Sequence, residues 1–202
     1  MSKSSKQWLQ AHFKDPFVKK AQSEGYRSRA VYKLLELQEK YQFIHPGDVV
    51  VDLGAAPGGW SQIASEWVGE NGEIFALDIL DMEPLPGVTF IQGDFREDQV
   101  LNQLESVLNG REVDVVLSDM APNLSGMSAV DQPRAMLLAE YAAEFAKGHL
   151  NAKGRFIVKV FQGDGFDEYL KELRLVFDKV IIRKPKSSKP KSREVYICCI
   201  GK

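Results

Sequence analysis

Three acids and one glycine turn mark where this chain could do chemistry. Residues 49–60, VVVDLGAAPGGW, form a short apolar run closed by an acid and followed by glycines. A β-branched run of this length reads as a buried strand. Gly54, Gly58 and Gly59 let the turn adopt backbone angles and close approaches that a Cβ would block, and Pro57 suits the start of a helix. About twenty residues further on, Asp78 ends a second apolar run, where a carboxylate can accept from the hydroxyls of a ribose. One strand later Asp94 could accept from the exocyclic amine of an adenine, since an ionised carboxylate is acceptor-only. Together they describe a pocket for an adenosine-bearing cofactor that need not carry phosphate. The spacing is G-x-x-x-G-G, not the G-x-G-x-x-G that seats a pyrophosphate on a helix N-terminus, which argues against a nicotinamide-dependent oxidoreductase.

These residues stand at strand ends in a repeating plan. Behind the glycine turn a helix is expected over 60–68, then strands over 73–80, 88–95, 113–123 and 155–161. Helices over 98–109 and 131–149, and one through Tyr169 and Leu173, separate the later strands, and Asp119 closes the fourth. Alternation of this kind builds a parallel, doubly wound sheet. Between the last two strands, KVIIRKP and EVYICCIG, lies only the basic segment RKPKSSKPKSR. They should therefore pair as an antiparallel hairpin. The expected fold is α/β: a seven-stranded, mostly parallel sheet with an antiparallel C-terminal hairpin and helices on both faces. Ligands of such sheets bind at the carboxyl ends of the strands, which sets Gly58, Asp78, Asp94 and Asp119 along one edge. Residues 1–45 form a basic extension of the same domain, with an amphipathic helix around Val31, Leu34, Leu35 and Tyr41. A single domain over 1–202 is expected.

Composition narrows the function classes. At 44% hydrophobic and 27% charged residues the chain is ordinary for a globular protein. The leading MSKSSKQWLQ lacks the apolar core of a signal peptide and no run approaches a membrane span, so a cytoplasmic protein with no membrane partner is expected. Cys198 and Cys199 are adjacent, so strand alternation points them to opposite faces as buried, reduced side chains. His12, His45 and His149 show no metal-ligand spacing, and no metal is expected. The net charge of −2 hides an asymmetry: residues 1–40 hold nine Lys/Arg against four Asp/Glu, and residues 179–193 hold seven and no acid. Two basic ends around an acidic middle point to a polyanionic partner such as a nucleic acid.

The motifs SRAVYKL (28–34), DLGAAPGGW (52–60), SDMAPN (118–123), VKVF (158–161) and SREVY (192–196), in this order, resemble one family. It is that of the FtsJ/RrmJ-type, S-adenosylmethionine-dependent RNA ribose 2′-O-methyltransferases, in particular those acting on bacterial large-subunit ribosomal RNA. The resemblance covers nearly the whole chain and implies a Rossmann-like class I methyltransferase fold. It implies a catalytic tetrad of Lys33, Asp119, Lys159 and Glu194, and a cofactor rim of Gly58, Trp60, Asp78, Asp94 and Asp119. It further implies S-adenosyl-L-methionine as cofactor and, as substrate, a uridine of the 23S A loop, within an assembled or assembling large subunit. The chain is expected to act as a monomer.

Taken singly, Lys33 reads as a solvated helix lysine, Lys159 as a strand-end charge and Glu194 as a partner for the basic segment; Lys159 is the least ordinary, because VKV sets a cation in an apolar strand, where an unpaired charge is expensive. The tetrad also makes chemical sense, since a ribose hydroxyl is a poor nucleophile until its proton is drawn away and its oxygen is aimed. Lys159 could take the proton as a neutral amine, a form that burial and the neighbouring Lys33 cation favour and that Asp119 and Glu194 oppose. Alternatively, a charged Lys159 only orients the hydroxyl, and the proton leaves after transfer. Methylation of a base amino group would call for an aromatic side chain after the fourth strand, which DMAPN lacks. Methylation of a pyrimidine carbon would call for a nucleophilic cysteine near the cofactor, and both cysteines lie in the last strand. For RNA, residues 3–29 and 183–193 are expected to act as a clamp, with Trp8, Phe13 or Tyr26 stacking on unpaired bases. The alternative function is a non-catalytic RNA-binding assembly factor on the same fold, which a broken tetrad would mark.

Overall fold

The computed structural model describes residues 15–123 and 125–202. Its sheet has seven strands in the order β3-β2-β1-β4-β5-β7-β6. They are β1 (Val49–Leu53), β2 (Glu73–Asp78), β3 (Val88–Gln92), β4 (Val113–Ser118), β5 (Leu150–Phe161), β6 (Lys179–Arg183) and β7 (Glu194–Ile200). The first five are parallel, and β7 inserts between β5 and β6, antiparallel to both. The expected sheet and hairpin are thus the ones observed. Chain order reverses between β1 and β4, which opens a crevice at their carboxyl ends.

Helices α1 (Pro16–Glu24), α2 (Val31–Tyr41) and α3 (Gly59–Val68) pack on one face, α4 (Asp98–Leu108), α5 (Ser128–His149) and α6 (Phe166–Val176) on the other. Asp15 caps α1 by accepting from the Phe17 N–H at 2.9 Å, with Pro16 in the first helical position. The amphipathic pattern of α2 buries Val31, Leu34 and Leu37 against Val50, Ile63 and Ile157, so this helix belongs to the core of that face. Alternation in β7 sends Cys198 into that core and Cys199 into the opposite one; burial raises both thiols, Cys198 to about 12.

Several boundaries differ from the sequence reading, for local reasons. Strand β2 stops at Asp78 because that carboxylate accepts from the Leu80 N–H at 2.8 Å and bends the chain; Asp94 does the same beyond β3 with the Arg96 N–H at 3.0 Å. Helix α5 starts three residues earlier than expected and runs through Pro133. Asp131 does not begin it. Its carboxylate instead accepts from the backbone of Ser125 and Gly126. Strand β5 begins at Leu150, which pairs with Val113, and its first residues are extended by hydrogen bonds from Gly201 and Lys202. Pro57 lies in the glycine turn, after a cis peptide bond, and α3 starts two residues later with Gly58 as its cap.

Candidate active site

At the carboxyl edge, beside the β1–β4 crevice, lies a cavity of about 610 Å³ lined by Gly54, Asp78, Asp94, Asp119, Pro122 and Leu137 among others. Its floor needs a glycine. Gly54 has φ +80°, and a Cβ there would come to 2.6 Å from the Met120 side chain and 3.1 Å from its backbone. Asp78 accepts from the Ala56 and Leu80 N–H groups at 2.9 and 2.8 Å, which fixes the carboxylate on the rim and leaves lone pairs free. Asp94 is gripped by the Arg96 guanidinium at 2.5–3.2 Å; that hydrogen bonding holds its carboxyl below the usual range, against a smaller opposing effect of burial.

Two expected rim residues do not line the cavity. Gly58, at φ +102°, caps α3. Trp60 is buried in the first turn of α3, where its indole N–H donates to the Ala30 carbonyl at 2.8 Å and its ring lies 5.7 Å from that of Tyr196. Packing against α2 draws this side chain into the core and away from the rim.

The four expected catalytic residues come together from α2, the end of β4, β5 and β7, as two ion pairs. Lys159 Nζ lies 2.9 Å from Asp119 Oδ1 and donates to the Asp119 carbonyl at 2.5 Å; Lys33 Nζ lies 2.9 Å from Glu194 Oε1. Antiparallel register sets Lys159 opposite Tyr196 and Phe161 opposite Glu194, so both pairs sit on one corner of the sheet. Tyr196 joins them. Its hydroxyl donates to Asp119 at 2.6 Å and Lys33 Nζ stands 5.4 Å from its ring centroid. Burial pushes Asp119 and Glu194 upward, but the lysine cations and hydrogen bonds outweigh it, and both carboxyls are held below their usual values. Lys159 therefore spends two of its positions on Asp119 and has one left over.

Two residues that the sequence reading did not assign belong to this corner. Tyr196 stands two positions after Glu194, and the period of a strand puts both on one face. Asp52, at the end of β1, is buried, accepts from Ser61 Oγ at 2.6 Å and leaves Oδ1 without a partner among the described residues. Burial lifts its carboxyl to about 7, aided by the negative charges of Asp119 and Asp78 and opposed by Ser61.

The basic segment after β6 is docked on the helices. Arg183 bonds the Tyr41 hydroxyl, the Lys186 N–H donates to Glu36 at 2.8 Å, Arg29 bonds the Ser187 carbonyl, and Ser188 Oγ donates to Glu194 at 2.8 Å. Lys186, Lys189 and Lys191 remain exposed. Tyr26 is half-buried, edge-on to Tyr32. Of the expected clamp, residues 3–14, including Trp8 and Phe13, lie outside the described residues. Among the described residues no group of three or more acidic, His or Cys side chains is placed to hold a metal, and no helix is long and apolar enough to cross a membrane.

A family model described as FtsJ-like methyltransferase matches residues 26–202. Proteins named ribosomal RNA large subunit methyltransferase E are similar over 201 residues: 58% identical in Chromobacterium violaceum and 59% in Stenotrophomonas maltophilia. All of this chain is covered in both, with 98% and 96% of the relatives. A crystal structure from Plasmodium falciparum, titled as a ribosomal RNA methyltransferase, superposes with a TM-score of 0.78 at 33% identity, covering 87% of this chain and 98% of that one.

Proposed function

The chain belongs to the FtsJ-like methyltransferase family, and from that premise we propose that it methylates the ribose 2′-hydroxyl of a uridine in the A loop of 23S ribosomal RNA. S-adenosyl-L-methionine is the proposed donor, and the assembled or assembling large subunit the proposed substrate, met by a monomer in the cytoplasm. The observation that carries the reading is the convergence of Lys33, Asp119, Lys159 and Glu194 at the end of a cavity with two acids on its rim. The relatives named for large-subunit ribosomal RNA support the substrate class.

The residues present fit the donor. Asp78 retains lone pairs for ribose hydroxyls, Asp94 is an ionised acceptor for an adenine amine, and the backbone at Gly54 can come close where a side chain would intrude. When bound, S-adenosylmethionine supplies a methyl carbon on a sulfonium, whose carbon–sulfur pair stays on sulfur as the new carbon–oxygen bond forms. The chain's own part is orientation and proton handling. Asp119 holds the Lys159 amine by two contacts, and its one remaining position is the one this reading assigns to the substrate oxygen. In this reading Lys159 is the orienting group: it donates to the oxygen and aims a lone pair at the methyl carbon. The hydroxyl proton then passes to water after transfer. Orientation of this kind supplies much of the barrier lowering.

The test is transfer of tritium from labelled S-adenosylmethionine to large-subunit particles lacking the modification, followed by alkaline hydrolysis of the RNA. Label in an alkali-resistant dinucleotide that contains uridine is the expected result. Label on a base, or none with correctly folded protein, would overturn the reading.

A further inference from the structure

A second, smaller cavity lies on the same edge, where β5 ends beside the start of α5. It measures about 250 Å³ and is walled by Ser128, Asp131 and Gln132 from the start of α5, Phe161 from the end of β5, and Lys191 and Arg193 from the basic segment. This is below the ~300–1,000 Å³ of small-molecule pockets, a size suited to part of a polymer. Phe161 is two residues past Lys159, about 7 Å along the strand, and Arg193 directly precedes Glu194. The reach from the tetrad is that of a neighbouring nucleotide.

The chemistry of its wall is specific. Gln132 is only 4% exposed. Its amide nitrogen donates to the carbonyls of Phe161 and Asp164 at 2.9 and 3.1 Å, which fixes the orientation of the amide, and its oxygen finds no partner among the described residues. Gly163, at φ +151°, makes room: a Cβ there would sit 3.0–3.1 Å from the amide. A buried acceptor left unpaired is costly, and a ligand that brings a donor relieves it. The two cations on the same wall outnumber its one carboxylate, Asp131. Arg193 is steadied by a 3.0 Å hydrogen bond to Ser128 Oγ, Lys191 is exposed, and α5 begins with no side chain capping its first turn. Asp131 spends its oxygens on three hydrogen bonds from Ser125 and Gly126.

We propose that this cavity is the subsite for a nucleotide next to the modified one, with Lys191 and Arg193 taking its phosphate and the enclosed Gln132 amide oxygen, uncovered as the wall opens around the nucleotide, accepting from its ribose 2′-hydroxyl. The inference rests on the ribosomal RNA reading above and adds to it a means of telling RNA from DNA at the flanking position.

The probes are a stem-loop RNA carrying the target sugar, all-ribose or with one 2′-deoxy substitution on either flank, and the large-subunit particle. Affinity is read by fluorescence anisotropy across a salt series, and methyl transfer to the particle as kcat and KM. Wild type should lose about tenfold in affinity for one of the two deoxy probes, the worth of one well-made hydrogen bond to a buried group. Gln132→Ala should bind the all-ribose probe weakly and show no further loss with that deoxy probe. The Lys191→Ala/Arg193→Ala double variant should weaken all probes alike, flatten the salt slope by about 0.7–0.9 per lost phosphate contact, and raise KM for the particle with kcat kept. Equal affinity of wild type for all three probes, or a salt slope unchanged in the double variant, would overturn the subsite. Should Gln132→Ala fail to fold, the deoxy scan on wild type and the double variant still decide. Loss of the wider reading looks different: wild type would then place no methyl on the particle, whatever the probes do.

Discussion

Strand β5 carries two buried cations four residues apart on one face, Arg155 and Lys159, and only one of them stands at a site. Arg155, near the amino end, donates to the Phe43 carbonyl at 2.8 Å, pairs with both Asp48 oxygens at 3.0 and 3.1 Å, contacts His45, and comes within 4.0 Å of Asp114. Its guanidinium fork is divided among the loop after α2 and the β4 start, so it acts as a clamp between them. Lys159 is as deeply buried, yet both its contacts go to a single residue, Asp119, which also lines the large cavity. Burial and pairing are common to the two cations. What differs is where the partners lead: Arg155 is shared among segments that it ties together, whereas Lys159 rests on one acid that opens onto the cavity.

The largest effect that would sharpen this contrast is at Lys159. Lys159→Ala should cost about 10²–10⁴-fold in the single-turnover methylation rate, while affinity for S-adenosylmethionine, measured by calorimetry, stays close to wild type because Lys159 is not among the residues lining that cavity. A near-normal rate would erase the distinction between the two cations. The mirror substitution is Arg155→Ala, which strands Asp48 in the interior. It should lower unfolding stability by about 3–5 kcal/mol, as for other broken buried pairs, and leave the single-turnover rate per folded molecule unchanged. Urea denaturation and rates measured well below the transition separate the two outcomes. A variant that folds normally and yet fails to methylate would place Arg155 in the reaction.

The contrast also explains what could be read before the structure. Strand count, the hairpin and the edge that gathers Asp78, Asp94 and Asp119 follow from local periodicity and from the composition of residues 183–193, and these hold. Strand ends did not follow, because the turns at Asp78 and Asp94 depend on where a short side chain finds its own backbone N–H two residues on. Lys159 stands out as a cation in an apolar strand, but Arg155 lies in the same strand, and nothing local says which one pairs with an acid at the cavity. Lys33 and Glu194 became visible only through the family resemblance, since their pairing joins α2 to β7 across most of the chain. Trp60 shows the limit from the other side: the family resemblance implies a place on the rim, whereas the Ala30 carbonyl and Tyr196 draw the ring into the core.

The smallest effect sets Asp52 against Asp119, carboxylates at the ends of the neighbouring strands β1 and β4. Asp119 has two lysines nearby and is held ionised; Asp52 has a serine and is lifted to about 7 by burial. Their contributions to stability must therefore run in opposite senses with pH. For Asp119 the folded value lies below the unfolded one, so its stabilisation is present above the ordinary carboxylate range and is lost only as pH falls through the folded value. For Asp52 the folded state binds the proton more tightly than the unfolded chain does. Between about pH 4 and 7 the unfolded chain has released that proton and the folded one has not, so stability falls as pH rises. Asp52→Asn removes the titrating proton while keeping an acceptor for Ser61. It should be less pH-sensitive than wild type, gaining roughly 1–3 kcal/mol relative to it between pH 5 and pH 8, read from urea denaturation at the two values. An unchanged difference between the proteins at both pH values would mean that Asp52 is ionised in the folded state throughout, and that a partner for its second oxygen exists which the described residues do not contain.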